Sequence, residues 1–113
     1  MEKSFITEAD RDESLECLLN SSREIGNARG NMRLMEGKVK IAEAEGMMMS
    51  QAKQVEMKRA DARSSTEYCE AVSNLAHWEG IYEGLKRLAE AHHARLDAFR
   101  TQQSDHRGLD TRM

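Results

Sequence analysis

The stretch YCEAVSNLAHWEGIYEGLKRLAEAHHARLDAF, residues 68–99, decides the fold. Tyr68, Ala71, Leu75, Trp78, Tyr82, Leu85, Ala89, His92, Leu96 and Phe99 follow one another at steps of three and four in strict alternation. Residues so spaced share one stripe of an α-helix, and a long unbroken alternation is the seam of coiled-coil-like helix packing. The seam is apolar except for His92, which needs its own explanation.

Working outward, a second seam with the same alternation runs through Ile25, Ala28, Met32, Met35, Val39, Ala42, Gly46 and Met49. It slips at its far end, where Ala52 and Val55 are apolar and the regular positions, Lys53 and Glu56, are charged. The polar stretch RADARSSTEY interrupts the pattern, and Ser64 or Ser65 can cap a new helix with Glu67 in its first turn. Two seams of similar length joined by a short polar turn predict a long antiparallel helical hairpin over residues 21–104, turning near residues 62–66. In that register Met35 faces His92, and Ala28 faces Phe99, Ala42 faces Leu85 and Gly46 faces Tyr82, so that large side chains meet small ones at several levels. Before the hairpin, Thr7 and Asp10 form a capping pattern that predicts a short N-terminal helix within residues 1–20. Ser21 and Glu24 form a second, where that helix either breaks or continues. Residues 105–113 predict a flexible tail.

Composition agrees. The chain of 113 residues has no proline, where about five would be usual at an average frequency of roughly 5%. Few loops and uninterrupted helices follow, and aromatic content of 4% argues against a compact β or α/β core. There is no apolar run long enough to span a membrane, and the acidic start lacks a signal-peptide pattern, which predicts a cytoplasmic protein with Cys17 and Cys69 as reduced thiols. Charge alternates weakly by segment: −4 over residues 1–24, +3 over 25–63, −4 over 64–85 and +2 over 86–113.

A two-helix hairpin buries one stripe per helix. Ile81 and Leu88 flank one seam, and Met47 and Met48 flank the other, so they form a candidate partner-binding surface. The N-terminal helix could cover it, giving a three-helix bundle; a second copy could cover it, giving a dimeric four-helix bundle; so could another protein. Lys53, Lys58, Arg59 and Arg63 near the predicted turn are candidate phosphate contacts, diluted by Glu56 and Asp61 and without an aromatic ladder for single strands. Glu90 and His93 have the Glu-x-x-His spacing of di-iron bundles, and Glu36 stands at the matching height on the other arm; a solvated flank is the simpler reading of all three. His92 reads as a register-fixing seam residue, or as a pH-sensitive contact. Gly26/Gly30 and Gly80/Gly84 suggest a close backbone approach or a bend. No catalytic Ser/His/Asp or Cys/His pattern and no phosphate-binding glycine loop is present, so the sequence predicts a non-enzymatic chain without a cofactor.

HWEGIYEGLKRL (residues 77–88) and FRTQQSDHRG (residues 99–108), with Arg100, Ser104 and Arg107 following a seam that ends in Leu96 and Phe99, resemble small helical proteins that tailed phages encode near recombination and replication genes. The resemblance covers about residues 36–108. It implies a phage accessory protein of the host cytoplasm that binds and modulates a DNA-recombination or host-defence nuclease machinery rather than a catalyst. Direct nucleic-acid binding through the basic cluster is the second expectation, and a dimeric di-iron protein the third.

Overall fold

The structure, a computed structural model, describes residues 5–112, with side chains described as far as Arg107. The described residues form three helices and no strand: α1 (Glu8–Met49), α2 (Val55–Arg63) and α3 (Thr66–Arg112). The fold is all-α, and its long arms α1 and α3 form the helical hairpin that the two seams predict.

Burial on α3 follows its predicted seam. Tyr68, Ala71, Leu75, Trp78, Tyr82, Leu85, Ala89, His92, Leu96 and Phe99 are all shielded, while most residues between them are exposed. Helix α3 starts as expected, with the Tyr68 N–H donating to Ser65 Oγ at 3.2 Å. On α1 the seam from Ile25 to Gly46 is likewise shielded, but Met49 is exposed.

Three boundaries differ from the sequence expectation. Helix α1 is continuous through Ser21, so no short N-terminal helix ends near residue 20 and none docks as a third member of a bundle. Ser21 is buried and its hydroxyl donates back to the Leu18 carbonyl at 3.3 Å, inside the helix rather than as a cap. The short helix is α2 instead. The chain reverses at residues 50–54, not near 62–66, because Ser64 keeps right-handed helical backbone (φ −96°, ψ −1°) and its N–H still reaches Ala60. The predicted tail is helical through Arg112, with Gly108 inside the helix; Met113 and residues 1–4 lie outside the described residues.

The reversal point sets the register. His92 meets Ser14 rather than Met35, and Gly46 meets Ala62 rather than Tyr82. The observed pairing is offset from the predicted one by about three heptads, a slide that leaves every seam position facing a seam.

The chain divides into two compact units, residues 1–25 with 84–113 and residues 26–83. In the second, α1 and α2 touch where Gly46 lies over Ala62, which is wholly buried; a Cβ on Gly46 would stand 2.7 Å from the Ala62 Cβ and 2.8 Å from its Cα. Only glycine permits that approach. Ser50 Oγ donates to Asp61 at 2.6 Å and accepts the Ala52 N–H at 3.1 Å, which fixes the turn without proline or glycine.

In the first unit α1 and α3 run antiparallel. Thr7 and Asp10 form the predicted cap reciprocally: the Asp10 N–H donates to Thr7 Oγ1 at 3.1 Å, and the Thr7 N–H to Asp10 Oδ2 at 2.9 Å. Just before it, Gln102 receives the Ile6 N–H at 3.1 Å and donates to the Ile6 carbonyl at 2.7 Å, satisfying both backbone groups of a residue outside any helix.

Candidate functional site

Seam residues in the first unit are partly polar. Ser14 has no exposed surface, and its Oγ lies 3.0 Å from His92 Nδ1. Beside them Arg95 reaches Asp10 at 2.8 Å and Glu13 at 3.4 Å. The hydrogen bonds from Thr7, first through its backbone N–H and then through its side chain, hold the Asp10 carboxyl below the usual aspartate range, with Arg95 adding to the effect. A hydroxyl against an imidazole has the chemistry of an activated nucleophile, but burial closes Ser14 Oγ to any substrate. The pair instead satisfies two polar groups within an apolar seam. No sequence signal marks this pair, because a serine interrupts the apolar pattern that would show α1 continuing there.

The two predicted polar sites fare differently. Arg63 is taken up by Glu43 through a 2.6 Å ion pair, and Glu43 pushes the guanidinium further toward its charged form. Lys58 is half-buried; Lys53, Arg59 and Arg63 are exposed, the last with its charge paired. Of the predicted carboxylate set, Glu36 belongs to the second unit and Glu90 and His93 to the first. Among the described residues no three His, Cys, Asp or Glu side chains are placed to hold a metal ion. His93 instead lines an open groove of about 430 Å³ with Leu15, Leu18, Leu19, Ile25 and Ala89. Cys17 and Cys69 are unpaired with each other, the first half-buried and the second exposed.

Of the predicted partner-binding residues, Met47 and Ile81 are half-buried, while Leu88 and Met48 are exposed. Met48 proves to be the end of a larger feature. In the second unit Leu34, Ile41 and Met48 are 54%, 58% and 84% exposed. They stand seven residues apart, so they share one face of α1. That face lies roughly half a turn round the helix from the seam through Met32, Val39 and Gly46. Gly30, Gly37 and Ala44 fall between the large residues, and a Cβ on either glycine would meet nothing within 4 Å. The outward face therefore repeats the alternation of three and four that marks a packed seam, and its large side chains are exposed among the described residues.

Among the described residues the glycine pairs mark no close contact. Gly26, Gly30, Gly80 and Gly84 all have open space where a Cβ would be, and Gly46 alone among the glycines with described surroundings is pressed by a neighbour. No protein-family model matches this chain, and no curated protein or solved structure is significantly similar to it. No helix among the described residues is long and apolar enough to cross a membrane.

Proposed function

We propose that the chain is a non-catalytic protein–protein interaction module. The observation that carries this reading is the exposed Leu34, Ile41 and Met48 face on the side of α1 opposite its packed seam. A long helix needs one apolar stripe to fold against its neighbour; a second stripe in the same alternation, exposed among the described residues, suits an outside partner. The resemblance of residues 36–108 to phage accessory proteins supports a partner from a recombination or host-defence nuclease machinery. Binding would then act by occupying or holding that partner, with the charged residues around the stripe setting specificity.

Direct nucleic-acid binding is the weaker reading, because Glu43 and Asp61 sit within the basic end of the second unit and Arg63 is already paired. The test is affinity capture from cells carrying the natural neighbours of the gene, with wild type and Ile41→Glu compared at equal folded amounts. The reading expects one protein retained by the wild type at stoichiometric yield and lost from the variant. Equal retention by both, or nuclease-sensitive retention of nucleic acid alone, contradicts it.

A further inference from the structure

The stripe on α1 has a shape and a charge, and together they specify an occupant. Its order is Gly30, Leu34, Gly37, Ile41, Ala44, Met48: small and large in turn at steps of four and three. It is about 27 Å long at 1.5 Å per residue, or five helical turns. Small residues once per heptad let another helix backbone come close, and the large residues between them interlock with its side chains. A lipid surface would reward bulk at every apolar position, and glycine contributes nothing there. The notches therefore favour a helix over a membrane.

Arg33, Lys38 and Lys40 border the stripe on both sides, and Arg29 lies just beyond; all four are exposed. Among the described residues none of them forms an ion pair. Against these four cations, the exposed acids on this part of α1 are Glu45 beside the stripe and Glu36 beyond Lys40, while Glu43 is held by Arg63. A second copy of the chain, running antiparallel, would fit by size, with Gly30 opposite Met48, Leu34 opposite Ala44 and Gly37 opposite Ile41. It would also bring Lys38 and Lys40 against their own counterparts at the two-fold axis, where like charges oppose closure. An acidic partner satisfies both requirements.

We propose that this face of α1 docks an acidic amphipathic α-helix of a partner protein, whose large apolar side chains seat over Gly30, Gly37 and Ala44 and whose Glu or Asp residues meet Arg33, Lys38 and Lys40. The proposal rests on the interaction-module reading and gives that partner its chemistry. It is tested with three synthetic helical peptides of about five turns. The first alternates Leu and Ala at the seam with Glu on its flanks; the second keeps the seam and carries Lys on its flanks; the third keeps the Glu flanks and has Gln throughout the seam. Each is titrated against the full chain by fluorescence anisotropy at two salt concentrations, alongside anionic phosphatidylserine vesicles.

The acidic apolar peptide should bind at least tenfold more tightly than either other peptide, and more weakly at high salt. Gly37→Met should weaken it at least tenfold without loss of helicity, since methionine favours helix more than glycine does. Lys38→Glu with Lys40→Glu should reverse the preference to the basic peptide. Equal binding of acidic and basic peptides at the stripe, lost in Gly37→Met, overturns the acidic partner and keeps the interaction face. Vesicle binding lost in Ile41→Glu makes a membrane the occupant and overturns the proposal. No peptide or vesicle binding by a chain that stays monomeric overturns both the proposal and the reading beneath it; the same result from a dimer that Ile41→Glu dissociates makes a second copy the occupant.

Discussion

At the scale of single residues, Gly46 and the Ser14–His92 pair carry the most consequence. Adding a methyl at Gly46 meets the Ala62 Cβ and Cα rather than a side-chain tip that could swing away. Gly46→Ala should therefore destabilise the chain by about 1–3 kcal/mol, despite the better helix propensity of alanine. Gly26→Ala and Gly84→Ala, with open space around them, should stabilise it by up to about 1 kcal/mol each. Thermal melts followed by circular dichroism separate the two classes by the sign of the shift. Ser14→Ala leaves the half-buried His92 nitrogen without its partner and should cost about 1–3 kcal/mol. Combining it with His92→Leu should cost less than the two single changes added together, which urea unfolding of all four proteins measures as a coupling energy. The histidine was visible from the sequence as an anomaly in the α3 seam. Its partner was not, because only the reversal point decides which residue of α1 stands opposite.

At the scale of elements, the pattern of α3 was readable residue by residue, since nine apolar or aromatic side chains at one spacing have no competing explanation. Helix α1 was half readable. Its seam continues toward the N-terminus through Ser21, Leu18, Ser14 and Arg11, and three of those four are polar, so the periodicity ends in the sequence before the helix ends in the structure. The reversal at residues 50–54 was marked only by the slip at Ala52 and Val55. The polar stretch around Ser64 and Ser65 drew the turn because serine caps helices, and Ser65 does cap α3. A heptad seam cannot correct such an error, because sliding it by whole heptads leaves the apolar match intact. The start of α1 also has a pH signature. Asp10 is held below its ordinary value in the folded chain, so its contribution to stability is present above about pH 4, the unfolded aspartate range. That contribution fades as pH falls through the lower folded value. Asp10→Asn should flatten this part of the acid unfolding profile while leaving the profile between pH 6 and 8 unchanged in shape.

At the scale of the whole molecule, what holds the chain together is separate from what it offers outward. The inward seams of α1 and α3 and the Gly46–Ala62 contact hold it together. The outward face of α1 offers Leu34, Ile41 and Met48 in a frame of cations. That face is hidden in the sequence, because its glycines count as a cost to the helix and its methionine belongs to a cluster, Met47–Met49, whose members point different ways. Neutralising Lys53 and Arg59 should leave partner binding unchanged, whereas Ile41→Glu should abolish it without lowering helicity; a binding assay with circular dichroism on the same samples checks both. Whether this stripe waits for a different protein is decided by the solution mass, measured by light scattering across a dilution series. A stripe kept for another protein leaves a monomer of 12.9 kDa at every concentration, for the wild type and for Ile41→Glu alike. A dimer that resists dilution and falls apart in Ile41→Glu would show instead that the stripe covers itself.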